Sequence, residues 1–313
     1  MKRKYLLTGL LAAGMLVASP AMAWKPTKPI EIIVGFTPGG ASDLVARSLA
    51  EAARPFFPVP IIVVNKPGAA SVIAAEYVAR QPADGYTLLL AGGSESTSVP
   101  NHRKVNYDTV KSFTPIIHAV RMRIVLSVKS DSEFKDFAQV VNYAKNNPNK
   151  LTYGSSGVGG LYHSTMLAID KALGLTTMHV PYKGGNEVTL AMLSGQVQLG
   201  ISSPDEIKGH IESKALRPLA ITSKERYSEL PDTPTLQELG YDVYLENMKG
   251  LVAPAGLPQD VYQYLHDNFK KAMETEKFKE LAAKANLEIA YMNGPDFGAA
   301  MKSMAETIAA SLK

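Results

Sequence analysis

Cysteine is absent from all 313 residues, which excludes disulfides, thiolate metal ligands and a cysteine nucleophile. Tryptophan occurs once, at Trp24, so intrinsic fluorescence is a poor reporter of events elsewhere in the chain. Beyond residue 23 no window is apolar for the ~20 residues that a membrane span requires. An excess of one charge sign is missing as well. The formal charge of +4 rests on Lys2, Arg3 and Lys4, and without those three 30 basic residues face 29 acidic ones. A chain so balanced lacks the basic face that nucleic acid or an anionic membrane surface demands.

Catalytic patterns are equally scarce. The six histidines, at 102, 118, 163, 179, 210 and 266, show neither H-x-x-x-H nor H-E-x-x-H spacing, so no metal site is expected. There is no G-x-x-x-x-G-K-[ST], and Gly157-Val158-Gly159 lacks the last glycine of G-x-G-x-x-G. Around Gly154-Ser155-Ser156-Gly157 neither serine has the two glycines of a nucleophile elbow. With no nucleophile–base–orienter set and no cofactor motif, the sequence reads as a non-enzyme that carries no cofactor.

What is present begins with an export signal. Met1–Lys4 is basic, Tyr5–Val17 is apolar, and Ala21-Met22-Ala23 supplies the small residues that signal peptidase accepts. Cleavage after Ala23 would leave a mature periplasmic chain starting at Trp24. The remainder alternates short apolar strands with amphipathic helices. Strands are expected at 30–36, 61–64, 86–91, 124–128, 151–154, 178–180, 198–202 and 216–222. Helices are expected after 42, over 70–80, 134–146, 162–173 and 185–193, and from 258 onward. Ser42 or Asp43 is the expected N-cap of the first helix. This pattern predicts an α/β chain of two units, with parallel pairing through helical crossovers.

Polar, glycine-rich turns follow the strands at 37–43, 92–98, 155–160 and 202–205. Turns after parallel strands gather at the carboxyl edge of a sheet, where ligands bind. Helix N-termini there present free N–H groups and the positive dipole end to an anion. Pro38-Gly39-Gly40 lets a ligand approach the main chain closely, and Ala41, Ser42 and Asp43 then offer N–H groups. No Lys or Arg lies between Lys28 and Arg47, so this stretch would hold a carboxylate through its backbone.

The run Pro29-Ile30-Glu31-Ile32-Ile33-Val34-Gly35-Phe36-Thr37-Pro38-Gly39-Gly40-Ala41-Ser42-Asp43, with Ala46-Arg47, resembles the opening of the substrate-binding proteins of tripartite tricarboxylate transporters, the TctC-like Bug family. Further similarity follows in order: Val64-Asn65-Lys66-Pro67-Gly68-Ala69, Pro82-Ala83-Asp84-Gly85-Tyr86-Thr87-Leu88, His179-Val180-Pro181-Tyr182-Lys183-Gly184, Gly195-Gln196-Val197-Gln198 and Leu230-Pro231-Asp232-Thr233-Pro234-Thr235. The resemblance implies a two-lobed Venus flytrap fold of the periplasmic-binding-protein type, each lobe a mostly parallel sheet flanked by helices. Residues 24–125 plus 226–313 would form one lobe and 126–225 the other. It implies a monomer that captures a small organic carboxylate between the lobes. Delivery would be to the membrane permease subunits of a tripartite transporter, or alternatively to a sensor kinase.

Carried onto this chain, the ligand loop is Phe36, Thr37, Gly39, Gly40, Ala41, Ser42 and Asp43. Facing it would stand Ser94, then Ser155, Ser156, Gly159 and Gly160 of the next turn, and His163. Tyr182, Lys183 and Gly184 would sit at the rim, with Ser202, Ser203 and Asp205 at a strand end. For Asp43, capping competes with ligand contact, and Arg47 is spaced to pair with it; for His163, pocket lining competes with a core or capping role. Three departures from the family pattern stand out, of which the last two bear on specificity. Ala70 stands where glycine is usual, Gly160 where Ser or Thr is usual, which would leave extra space. Ser202 stands where many members have an acid, with Asp205 three residues later.

Overall fold

The structure, a computed structural model, describes residues 24–313. The expected export segment lies outside the described residues. β1 (Ile30–Val34), α1 (Ala41–Ala53), β2 (Ile61–Asn65), α2 (Val72–Ala79) and β3 (Thr87–Ala91) alternate as their periodicity predicts. β1 pairs in parallel with both β2 and β3. A short helix α3 (Val99–His102) leads to the long strand β4 (Phe113–Met122), and the chain then starts again with β5 (Val125–Lys129). α4 (Phe137–Asn146), β6 (Thr152–Ser155), α5 (Leu161–Leu173), β7 (Met178–Pro181), α6 (Gly185–Leu193), β8 (Leu199–Ser202), α7 (Pro204–Glu212) and β9 (Leu216–Ile221) complete this second unit. β10 (Asn247–Pro254), α8 (Gln259–Glu274), α9 (Glu276–Lys284), β11 (Glu288–Asn293) and α10 (Gly294–Ser311) return to the first.

Two sheets result, ordered β11-β4-β10-β3-β1-β2 and β7-β6-β8-β5-β9. Parallel pairing is confined to β2-β1-β3 and β7-β6-β8; the remaining pairs are antiparallel, so both sheets are mixed rather than mostly parallel. In the second sheet the antiparallel pairs are those of β5 with β8 and β9, and in the first they come from β4, β10 and β11, which local pattern did not disclose. Each carries residues with weak strand signals, such as Pro115, His118, Lys249 and Gly250, and pairing across the sheet overrides that preference.

The chain changes sheet at Arg123-Ile124 and returns between Leu236 and Asn247. Val125 already pairs with Ser202 and Ile221. On the way back Leu236 N–H still donates to Ile221 O (2.8 Å), which keeps that segment on the second sheet. Thr222, just past β9, ties the two crossovers together: its N–H donates to Ile124 O (3.1 Å) and its Oγ1 to Leu245 O (2.6 Å). Arg123, buried at the first crossover, donates twice to Glu288 (2.7 and 2.8 Å).

α1, α8 and α9 cover one face of the first sheet. Fully buried Phe269 and Phe278 join Leu49, Ile32 and Leu265 there. Each such side chain contributes about 1.5–3 kcal/mol by burial. α10 packs on the other face, where Met301, Met304 and Ile308 belong to the same apolar cluster as Leu161, Met166 and Ile169 of α5. One continuous core thus links the two units beneath the place where their turns meet.

Candidate functional site

Between the sheets, the turns after β1, β3, β6 and β7 enclose a cavity of about 310 Å³. Phe36, Thr37, Gly40, Ala41, Ser42 and Ser94 line it from the first sheet, and Ser156, Lys183 and Gly184 from the second. Leu161 and Tyr162 of α5, Gly185, Asn186 and Glu187 of α6, Glu206 of α7, Met122 and two residues of β10, Asn247 and Lys249, complete the wall.

The first wall is shaped by Asp43. Its side chain is almost wholly buried, and Oδ2 accepts the Gly39 N–H (2.9 Å) and Arg47 Nε (2.8 Å). Oδ1 accepts Asn65 Nδ2 (2.9 Å), and the same amide donates to Phe36 O (3.0 Å). Burial opposes the charge, but the bonds from Arg47, Gly39 and Asn65 win and hold the carboxyl below its usual range. Gly39, at φ +79°, takes the left-handed backbone this bend needs. Because Asp43 reaches back to the loop, it does not cap the helix. α1 starts at Ala41 behind Gly40, with no side-chain cap.

That open helix start recurs around the cavity. α5 begins behind Gly160 and α6 behind Gly184, again with no side-chain cap. Elsewhere, Asp136, Thr275 and Asn293 cap α4, α9 and α10 with their side chains, while α2, α3 and α8 also start without a side-chain cap. A cap is worth ~1 kcal/mol. Helices that forgo it here leave donors and dipole ends aimed at one small space, which favours an anion. One donor is taken: Leu161 N–H binds Ser94 Oγ (3.0 Å), a contact between the two units.

The base differs in kind. β10 is buried along its whole length, so Lys249 is only 3% exposed. Burial pushes its ammonium below the usual lysine range, against the pull of Glu95 and Glu206. Removing such an ion from water costs several kcal/mol. Beside it Asn247 Nδ2 donates to Tyr162 Oη (3.3 Å). Asn247 Oδ1 and Glu95 Oε2 are buried without a hydrogen-bond partner among the described residues. Glu206 accepts the Ser203 N–H (3.1 Å), and burial, with Asp205 next to it, raises its carboxyl above the ordinary range.

Residues 45–311 match the model of the tripartite tricarboxylate transporter family receptor. The chain belongs to that family. It is 36% identical over 289 residues to a protein encoded in the gbd 5′ region of Cupriavidus necator, covering 91% of this chain and 88% of that one. Among solved structures it is similar to the periplasmic binding protein BugD, with a TM-score of 0.82 at 30% identity and coverage of 91% and 96%. It is also similar to an R. palustris protein solved with adipate, with a TM-score of 0.82 at 26% identity and coverage of 91% and 97%. The receptor is therefore a two-lobed periplasmic solute-binding protein of the Bug type, and not an enzyme. None of its described helices is long and apolar enough to cross a membrane.

Several residues expected in the receptor's site lie outside the cavity wall. Gly39 and Asp43 shape the loop from behind. Ser155 Oγ is bound to His179 Nε2 (2.7 Å), and Gly159 donates its N–H to His163 Nδ1 (2.9 Å). His163 is sandwiched between His102 and His179, with ring centroids 5.5 and 4.1 Å away, so it packs a seam between the units. Gly160 provides no extra ligand space: a Cβ there would be held by Ser156 O, Gly157 O and Ser94 Oγ at 3.2–3.4 Å. Tyr182 turns to a separate surface depression with Leu190 and Gln196. Ser202 is fully enclosed in β8, Ser203 starts α7, and the acid that reaches the cavity is Glu206 rather than Asp205.

Sequence reasoning missed Lys249, Asn247, Tyr162 and Glu206. One signal for Lys249 was available: a lone lysine within the otherwise uncharged stretch Asn247–Pro254.

Proposed function

We propose that this receptor captures a small organic carboxylate between its lobes and hands it, as a monomer, to the membrane permease subunits of a tripartite tricarboxylate-type transporter. The observation that carries this reading is the convergence of three glycine-started helices, α1, α5 and α6, on one cavity without side-chain caps. Such a site binds negative charge through main-chain donors and needs no fixed cation at that end. Similarity to a protein solved with adipate supports the ligand class. The proposed lobes follow the sheets, with residues up to 124 and from about 237 in one and those between in the other. The two crossovers between them form the hinge about which the lobes close. Export to the periplasm with cleavage after Ala23 completes the proposal.

A thermal-shift screen of mono-, di- and tricarboxylates tests it directly. A ligand that binds only the native state stabilises by about 2.7 kcal/mol at a hundredfold excess over Kd. Stabilisation by one or a few acids is the expected result. No shift with any carboxylate, together with a shift from a neutral or cationic solute, would sink the proposal.

A further inference from the structure

We infer that Lys249 is the specificity residue of this receptor and that it takes the second carboxylate of a short diacid whose first carboxylate rests on α1. The inference rests on the reading of α1 as a carboxylate cradle and goes further by naming what the far end of the ligand must be.

Lys249 is held in a strand buried on both faces, and it lines the cavity. No carboxylate oxygen among the described residues stands within 4.0 Å of its Nζ, so the buried ammonium forms no ion pair. Asn247 Oδ1 and Glu95 Oε2, close to it, also lack partners among the described residues. A buried cation without a direct partner is normally eliminated or neutralised. Here the lysine is retained on the cavity wall; burial lowers its pKa, and Glu95 and Glu206, from beyond pairing distance, oppose that shift without cancelling it. The room is prepared by Gly93, where a Cβ would stand 2.5 Å from Nζ.

The ring of Phe36 lies with its centroid 5.5 Å from Nζ, which brings the cation within an aromatic ring's reach of the loop that leads into α1. Lys249 and the α1 turn line one cavity of about 310 Å³, which has room for a short chain bearing an acid at each end. Glu206 shares the cavity without closing it, since one of its oxygens is committed to the Ser203 N–H. Lys183 and Glu187, also on the wall, are exposed at the rim and offset one another in charge.

The test compares succinate, glutarate and adipate with the monoacids of equal chain length, butyrate, valerate and hexanoate, by titration calorimetry. Wild type should bind at least one diacid about tenfold or more tightly than its monoacid. Lys249→Met should abolish that preference by lowering diacid affinity about tenfold or more, and Lys249→Arg should retain it. Equal affinity of wild type for each pair would overturn the role of Lys249, as would a preference unchanged in Lys249→Met. If Lys249→Met does not fold, Lys249→Gln carries the same two outcomes. Binding of monoacids without preference leaves the α1 cradle standing and refutes Lys249 alone; binding of no acid refutes both.

Discussion

The two ends of the cavity solve the same problem by different means. At the α1 end, the proposed charge partner is the main chain at Ala41 and Ser42, while Asp43 and Arg47 of the same helix are bound to each other. At the β10 end, the partner is a side chain, Lys249, fixed by burial and surrounded by Asn247, Glu95 and Glu206. A backbone site accepts any carboxylate, whereas a fixed cation accepts only ligands that reach it. The first end should therefore set affinity for the class, and the second the choice within it.

The largest effect should come from removing the group that shapes the general end. Asp43→Ala breaks charge-assisted bonds worth about 1.5–3 kcal/mol, and it should lower stability by that amount and weaken all acids together. Its carboxyl titrates low in the folded state. The stability it provides is therefore complete above the unfolded value near 4 and lost as pH falls through the folded one. Denaturant melts between pH 3 and 7 check the sign. A variant that lost diacid binding alone would erase the division between the two ends.

Next in size is Gly40→Val. A Cβ at this position meets only Thr37 O at 3.5 Å, so the fold should tolerate the change while the added methyls enter the cavity. Affinity for every carboxylate should fall by about tenfold or more, equivalent to ~1.4 kcal/mol. Unchanged binding by a folded variant would move the cradle elsewhere.

The histidine seam belongs to neither end and should affect both alike. Burial drives His163 and His179 down to about 4, so they are neutral in the folded protein and protonate first when it unfolds. Stability from this source is full above ~6.5 and is lost as pH falls towards 4. The raised carboxyls of Asp205 and Glu206 act in the opposite sense, so the informative quantity is a difference. Between pH 7 and 5.5, His163→Leu should lose about 1 kcal/mol less than wild type in denaturant melts. A parallel loss in both proteins would show that the seam does not titrate there.

The smallest effect concerns Ala70, which lies at φ +54° between Ala69 and Ser71, both also left-handed. Ala70→Gly relieves a backbone that L-residues disfavour, offset by the greater freedom of glycine in the unfolded chain. A gain of about 0.5 kcal/mol is expected, with no change in the preference among acids. A loss of stability would mean that the Ala70 methyl contributes more by packing than the strained turn costs.

The contrast between the ends also explains what was legible. The α1 cradle is local. A strand, a glycine-rich turn and a helix start within fourteen residues announce it, and Phe36, Gly40, Ala41 and Ser42 all reach the wall. Even there the sequence misplaced the cap, because the preference of Asp43 for Gly39, Arg47 and Asn65 depends on β2 standing beside β1.

The sequence by itself determined the alternation of strands and helices, the family, and the turns with backbone open to a ligand. Those features follow from neighbours in the chain, where spacing and turn chemistry act directly. Only the tertiary structure decided that β4 and β10 lie side by side in the first sheet, that His163 stacks on two other histidines rather than lining the cavity, and that Glu206 reaches the cavity. It also decided that one lysine, 249 residues into the chain, stands within reach of Phe36. These are contacts between distant segments. Their cost and value are set by burial and by the charges that packing brings together, and no local pattern records either one.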